Sequence, residues 1–263
     1  MIPYPFTYHR AKTLAEAQKL FRGDAKFLAG GQTLIPAMKM RLANPSALID
    51  ISGLKELSFV RAGGDAVVIG AGTKHFDVAN SAEVKRAIPA LADTAEQIGD
   101  TAVRHMGTLG GSLANNDPAA DYPAAVLALG ATIKTTKRSI AADDFFTGMF
   151  STALDDGEII TEVSFPVPER AAYAKFPNPA SRYAMAGVFV AKTKHGVRVA
   201  VTGAAPCVFR VKEMEAALAK NFAPDAVAKI AVAADGMNSD IHATAEYRAH
   251  LVTVMAGRAV AAA

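Results

Sequence analysis

Two short segments combine a Gly-Gly pair with a following hydroxyl: Ala29-Gly30-Gly31-Gln32-Thr33 and Thr108-Leu109-Gly110-Gly111-Ser112. A diphosphate carries concentrated negative charge, and a nearly neutral protein can hold it with a row of backbone N–H donors at a turn. Glycine lets that backbone approach closely, and a Thr or Ser beside it can donate a hydroxyl. The two turns could face one ligand, or each pair could simply supply the positive φ of a tight turn.

Neither turn fits the better-known nucleotide signatures. Gly70-Ala71-Gly72 is followed by Thr73-Lys74-His75 with no third glycine, so the Rossmann fingerprint is incomplete. No Gly-Lys-Ser or Gly-Lys-Thr occurs, which excludes a P-loop at motif level. The six histidines have neither the spacing of a helical metal site nor a His-x-Glu deaminase signature, and they read as solvated or capping residues. Ser112 lies outside any Gly-x-Ser-x-Gly elbow, and Cys207 follows Pro206 without a nearby histidine, so Cys207 reads as a small core residue. Asp143-Asp144 and Asp155-Asp156 read as turn and cap residues, since adjacent side chains point apart.

The elements that must carry the two turns follow from pattern. Thr13-Leu14-Ala15-Glu16 is a capping box opening a short amphipathic helix, and Lys26–Ala29 reads as a strand running into the first glycine pair. A helix over Thr33–Arg41 follows, with Pro36 tolerated in its first turn. Leu48–Ile51 and Val67–Ile69 are strand-like, and helices are expected around 82–87 and 90–98. After the second turn, Asp121 stands where it could cap a helix from Pro123 to Leu129 closed by Gly130. Strands around 131–135 and 158–165 precede prolines at 166, 168, 177 and 179, which mark a domain boundary. Beyond it, strands at 188–192 and 197–201 alternate with helices expected at 211–219, 225–233 and 245–260.

Composition agrees with a folded protein. Of 263 residues, 51% are hydrophobic and 20% charged, and at about 150 residues per domain this is one large domain or two modest ones. A net charge of +3 without a basic block argues against nucleic acid. No stretch approaches the roughly 20 apolar residues of a membrane span, and no signal-peptide pattern opens the chain, so a cytoplasmic location is expected. A single cysteine cannot form an internal disulfide or hold an iron–sulfur cluster on this chain alone.

Taken in order, several segments resemble one family: 29–36 (AGGQTLIP), 48–51 (LIDI), 69–73 (IGAGT), 107–113 (GTLGGSL), 117–124 (DPAADYPA), Phe145-Phe146-Thr147-Gly148 and Gly157-Glu158-Ile159-Ile160. Further on, Tyr173-Ala174-Lys175-Phe176, Ser239-Asp240-Ile241-His242 and Tyr247-Arg248 extend the likeness over nearly the whole chain. The sequence resembles the FAD-binding medium subunit of the molybdenum hydroxylases, such as aerobic carbon monoxide dehydrogenase and bacterial xanthine and aldehyde dehydrogenases. It differs at Gln32-Thr33, where many relatives have His-Ser, and against the resemblance its C-terminus at Ala263 reads as short.

The resemblance implies an α+β fold: a p-cresol methylhydroxylase-type FAD-binding domain over 1–166, in subdomains of about 1–54 and 55–166, and a small α+β C-terminal domain over 167–263. It implies FAD lying extended between them, bound by Ala29, Gly30, Gly31, Gln32, Thr33 and Leu34 at the first turn and Thr108, Gly110, Gly111 and Ser112 at the second. Asp121 would serve the adenosine side through its ribose or waters. Ile160 and Lys175 would line the adenine and flavin portions, and Tyr183 would stand near the isoalloxazine. No catalytic side chain and no metal ligand are expected on this chain. The implied role is electron transfer from the [2Fe–2S] clusters of a small subunit, fed by a molybdenum cofactor on a large subunit, to an external acceptor. The alternatives are a self-sufficient FAD oxidoreductase of this fold and a structural subunit without flavin.

Overall fold

The computed structural model describes residues 2–263. The first layer is a small parallel sheet in the order β1-β3-β2, built from β1 (Thr7–Arg10), β2 (Lys26–Leu28) and β3 (Ala47–Asp50). Helices α1 (Leu14–Leu20) and α2 (Leu34–Lys39) lie between its strands in sequence. At the start of α1, Thr13 Oγ1 accepts from Glu16 N at 3.1 Å, while the Glu16 carboxylate accepts from Lys12 N at 2.8 Å, one residue before the cap. Buried Asp50 is fixed by the Tyr8 hydroxyl at 2.5 Å and by Ser52 N at 2.8 Å.

The middle layer starts with the hairpin β4 (Val60–Gly63) and β5 (Ala66–Gly70). Helices α3 (His75–Asn80), α4 (Ala82–Ala87), α5 (Pro89–Glu96), α6 (Thr101–Arg104), α7 (Leu109–Asn115) and α8 (Tyr122–Leu129) follow. Strands β6 (Thr132–Thr135) and β7 (Ser139–Ala141), helix α9 (Ala142–Phe145), the hairpin β8 (Phe146–Gly148) and β9 (Ser151–Thr152), and strand β10 (Ile160–Pro166) complete it. Strands β4, β5, β6, β7 and β10 form an antiparallel sheet in the order β4-β5-β10-β6-β7. Every residue of α8 is buried, as befits a helix without a polar face, and Gly130 closes it in the left-handed conformation at φ +63°.

The last layer is an antiparallel sheet, β11 (Arg170–Pro177), β12 (Ala184–Thr193), β13 (Gly196–Thr202) and β14 (Phe209–Arg210), with α10 (Lys212–Lys220) and α11 (Ala245–Ala262). Strand β12 is apolar and buried over almost its whole length because both its faces are covered. Phe189 and Ala191 join the core of α8 and β10, whereas Val188 and Val190 pack with Val252, Met255 and Ala256 of α11. Asp143 on α9 adds a polar tie between the layers, accepting from Arg198 Nη2 at 2.7 Å on both oxygens and from Arg210 Nη1 at 3.1 Å.

The α+β class is as the sequence predicts, and no described helix is long and apolar enough to cross a membrane. Several local expectations are corrected. The helix expected at 225–233 reduces to one 3-10 turn at Pro224–Ala226. Ile230 O accepts the Thr253 hydroxyl at 2.8 Å, so the segment leans on α11 instead of coiling on itself. Asp143 is an ion-pair hub, not a cap. Cys207 is only half-buried, with Asn116 Nδ2 3.8 Å from its sulfur.

Asn116 ends α7 in the left-handed region at φ 43° and is almost fully buried. Its Nδ2 donates to Gly148 O and Ser151 O, both at 2.8 Å, and so ties the β8–β9 hairpin to α7. Asn116→Gly keeps the backbone permissive but deletes both bonds, and the expected loss is about 1–3 kcal/mol in equilibrium urea unfolding. An unchanged unfolding midpoint would remove Asn116 from this role.

Candidate functional site

The two glycine turns, far apart in sequence, touch. A Cβ on Gly30 would be driven into the Met106 carbonyl and would come within 2.7 Å of Gly107 Cα, so only glycine permits the first turn to seat on the segment leading into the second. Gly107 in turn lies against His75, whose Nε2 would stand 2.6 Å from a Cβ there. Around this junction opens a cleft of about 920 Å³, in the size range of small-molecule sites.

One wall of the cleft is the segment 26–34, a second is Thr108, Gly111 and Ser112 with the adjoining 114–121 stretch, and a third comes from the C-terminal layer through Ser181, Tyr183, Gly203, Asn238, Asp240 and Arg248. Of the residues expected to bind, Ala29, Gly30, Gly31, Gln32, Thr33, Leu34, Thr108, Gly111, Ser112, Asp121 and Tyr183 line this one cleft. Gly110, Ile160 and Lys175 do not. Gly110 is buried against Ala71, whose Cβ lies 2.6 Å from where its own would be, Ile160 is a core residue at the start of β10, and Lys175 lies behind Asp121.

The turns also differ in what they offer a ligand. Within the second, Leu109 N donates to Thr73 O at 3.0 Å, Gly110 N to Ala71 O at 2.8 Å, Gly111 N to Thr108 Oγ1 at 3.1 Å and Ser112 N to Thr108 O at 3.0 Å. Four of its amides are thus spent inside the protein and only Thr108 N is without a partner among the described residues, so what faces the cleft is Thr108, a glycine surface and the Ser112 side chain. Within the first, the N–H groups of Gly31, Gln32 and Thr33 donate to no atom of the described residues. Gly31 is held at φ +69°, a conformation that side chains disfavour, and its neighbour Gln32 is exposed. A row of free amides at the lip of a cleft suits an anionic group such as a diphosphate.

The cap expected at Asp121 does not form. Asp121 stands at the head of α8 with helical backbone and makes no side-chain cap. Its carboxylate accepts instead from the Tyr173 hydroxyl at 2.6 Å and from Lys175 Nζ at 3.0 Å and 3.1 Å, while Lys175 also donates to Gln97 O at 2.8 Å. Burial pushes this carboxyl above the usual carboxylate range, opposed by Lys175 and by the Tyr173 hydrogen bond, and the Tyr173 phenol is itself raised by burial and by Asp121. The neighbouring backbone is docked just as firmly. Pro118 O accepts from Gly203 N at 2.8 Å, and Ala120 O from the Thr202 hydroxyl at 2.6 Å.

Three residues of the site were given no site role by the sequence, although the resemblance includes Tyr247-Arg248. His75 is buried, not solvated, its Nδ1 lacks a partner among the described residues, and its ring leans on Tyr122 at 5.3 Å between centroids. Asn178 builds the turn that presents Tyr183, its Oδ1 accepting from Ala180 N at 2.9 Å and Ser181 N at 3.1 Å and its Nδ2 donating to the Tyr183 hydroxyl at 3.3 Å. Arg248 is a buried guanidinium on the C-terminal wall. The available signal for Asn178 was its place between Pro177 and Pro179, where an Asx side chain favours a turn; nothing local singled out His75.

Residues 4–168 match the family model described as the FAD binding domain in molybdopterin dehydrogenase. The chain is 36% identical to the glyceraldehyde dehydrogenase medium chain of Sulfolobus acidocaldarius, over 98% of each chain. It is likewise 36% identical to the carbon monoxide dehydrogenase medium chain of Hydrogenophaga pseudoflava, over 100% of this chain and 98% of the relative. Among solved structures, reconstituted CO dehydrogenase from Oligotropha carboxidovorans superimposes with a TM-score of 0.92 at 34% identity, over 99% of this chain and 98% of the other.

The buried imidazole sets a pH dependence. Desolvation, reinforced by the Arg104 guanidinium, depresses His75 from 6.5 to about 4. The unfolded chain then binds a proton that the folded chain refuses, so the stability held above pH 6.5 falls as pH drops toward about 4. The expected loss is up to about 3 kcal/mol. His75→Phe should remove that component, measured as the difference between wild-type and variant unfolding free energies across the window so that carboxylate effects cancel. Parallel pH profiles would contradict the assignment.

Proposed function

This chain belongs to the family of FAD-binding domains in molybdopterin dehydrogenases, and from that premise we propose that it is the electron-transfer subunit of a molybdenum hydroxylase, passing electrons from iron–sulfur clusters to an external acceptor. Its cofactor is FAD. The observation that carries the reading is the row of free amides at Gly31, Gln32 and Thr33, opening on a cleft long enough to be walled by all three layers of the fold. These residues fit a dinucleotide: a diphosphate takes the amides, and the cleft continues to either side for two planar ends.

In this reading Ala29 to Leu34, with Thr108, Gly111 and Ser112, hold the diphosphate. Asp121 serves the adenosine side through ribose or waters, with its carboxylate already steadied by Lys175 and Tyr173. Tyr183 stands beside the isoalloxazine, held by Asn178 and by His242, whose ring meets it edge-on at 6.3 Å. Gly110, Ile160 and Lys175 act from behind the wall, by packing and by charge. Bound there, the flavin supplies the redox chemistry, and the protein supplies binding, orientation and electrostatics. The molybdenum cofactor and the [2Fe–2S] clusters belong to a large and a small partner subunit, consistent with relatives that are medium chains. Those two relatives are named for different substrates, glyceraldehyde and carbon monoxide, which agrees with a substrate chosen on another chain. We place the boundary between the FAD-binding domain and the C-terminal domain after residue 166, and the working location in the cytoplasm.

The two adjacent glycines separate binding from folding. A Cβ on Gly111 meets only the Thr108 hydroxyl oxygen, at 2.9 Å, at an exposed position, whereas one on Gly110 meets buried Ala71. Gly111→Val should therefore disturb no more than the Thr108 cap, a loss of about 0.5–2 kcal/mol, yet lose at least about tenfold in FAD affinity. Gly110→Ala should instead lose about 1–3 kcal/mol of stability. Full flavin occupancy in Gly111→Val would return that glycine to a plain turn role.

The subunit reading is tested by purification. Co-expressed with its genomic neighbours and isolated through a tag on this chain, the protein should elute with iron and molybdenum in one peak and release intact FAD on acid precipitation. A chain that purified alone and turned over a small organic substrate at an ordinary enzymatic rate would be a self-sufficient flavoenzyme instead.

A further inference from the structure

Arg248 lies in the first turn of α11 with a side chain only 2% exposed. Its Nη1 donates to Met185 O at 2.7 Å and Gly203 O at 3.0 Å, and its Nη2 to Asp240 Oδ2 at 2.7 Å, while its Nε is buried with no partner among the described residues. Gly203 cannot carry a side chain, since at φ +81° its Cβ would enter the Ala184 carbonyl, so the carbonyl beneath Arg248 is fixed by the backbone itself. Arg248 and Asp240 both line the C-terminal wall of the cleft, the wall that also holds Tyr183.

Burying a guanidinium is costly, and apolar packing would serve stability as well or better. Here two neutral carbonyls hold the cation rigid, and its one counter-ion among the described residues is a carboxylate whose side chain is 42% exposed. Burial would raise Asp240, but the His242 and Ala243 amides and Arg248 together hold it below the usual carboxylate range, so it is ionised at neutral pH. The same carboxylate shapes the loop, accepting from His242 N at 2.9 Å and Ala243 N at 3.1 Å, and so places His242 against Tyr183.

We propose that Arg248 and Asp240 form a charge pair that sets the reduction potential of the bound flavin, with Arg248 as the fixed positive pole and Asp240 as its partial counterweight. This rests on the reading that places the isoalloxazine beside Tyr183. A cation held in a low-dielectric wall favours the electron-rich state of a nearby cofactor, and an adjacent carboxylate subtracts from that effect. Both residues act through the field and through the loop they position, and neither exchanges electrons or protons with the flavin.

The test is a redox titration of the flavin-loaded full chain, with FAD-to-protein ratio and melting temperature recorded for each variant. Asp240→Asn removes the counterweight, and the flavin midpoint should move to a more positive potential. Arg248→Lys keeps the charge and should leave the midpoint close to wild type, while Arg248→Met should move it to a more negative potential. If Arg248→Met fails to fold, the contrast between Asp240→Asn and Arg248→Lys still decides the matter, because a merely structural pair would alter melting temperature without a signed shift in potential. Full FAD occupancy with an unmoved potential in Asp240→Asn overturns this inference alone. Wild-type protein that binds no FAD overturns the functional reading beneath it.

Discussion

The buried contact of Asp121 with Lys175 and Tyr173 is the constraint on which the rest of the site depends. It joins the head of the fully buried helix α8 to strand β11, across residues more than fifty positions apart. A charged pair in such a place is expensive to desolvate, and removing one partner from a buried pair costs several times what an exposed pair contributes, about 3–5 kcal/mol. The hydroxyl of Tyr173 and the Gln97 carbonyl complete the hydrogen bonding, which makes the arrangement tolerable. Because Pro118 and Ala120 are bonded to Gly203 and Thr202 at the same seam, the 117–121 segment is a rigid floor between two layers rather than a loop.

That floor explains why two similar glycine turns do different work. The second turn is zipped onto the residues after β5 through Ala71 and Thr73, and the amides of residues 109–112 are consumed in building the wall. The first is pressed against it by Gly30 and keeps its own amides free. The pairing is therefore structural on one side and open to a ligand on the other. Each glycine has a separate reason: Gly30, Gly107 and Gly110 for close approach, Gly31 for its positive φ, and Gly111 for an uncluttered surface.

Much of this was legible in the sequence wherever local chemistry decides the outcome. The cap at Thr13, the apolar helix closed by Gly130 and the long helix after Thr244 all rest on contacts within a turn or two, and the strand running into Gly30 was readable from its residues although it pairs with β3 some twenty positions on. What escaped was decided by distant partners. Asp121 has the sequence context of a cap, but Tyr173 and Lys175 take its carboxylate. The alanine-rich 225–233 segment has helical composition, but Thr253 captures the Ile230 carbonyl and the apolar side chains lean on α11. His75 looks like any surface histidine until Gly107 and Tyr122 close over it. Family resemblance pointed to a set of residues most of which line one cleft, yet it did not distinguish these from Gly110, Ile160 and Lys175 behind the wall.

In the proposed reading one ligand spans walls contributed by the first turn, the second turn and the C-terminal layer, over a floor fixed by Asp121. Amide hydrogen exchange, compared between flavin-free and FAD-loaded full-length protein, tests this directly. The account predicts that FAD slows exchange together at 30–34, at 107–112 and in the C-terminal wall at 181–183 and 238–243, while the core of β12, already covered on both faces, changes little. Protection confined to the two glycine turns, with 181–183 and 238–243 exchanging as fast as in flavin-free protein, would contradict it.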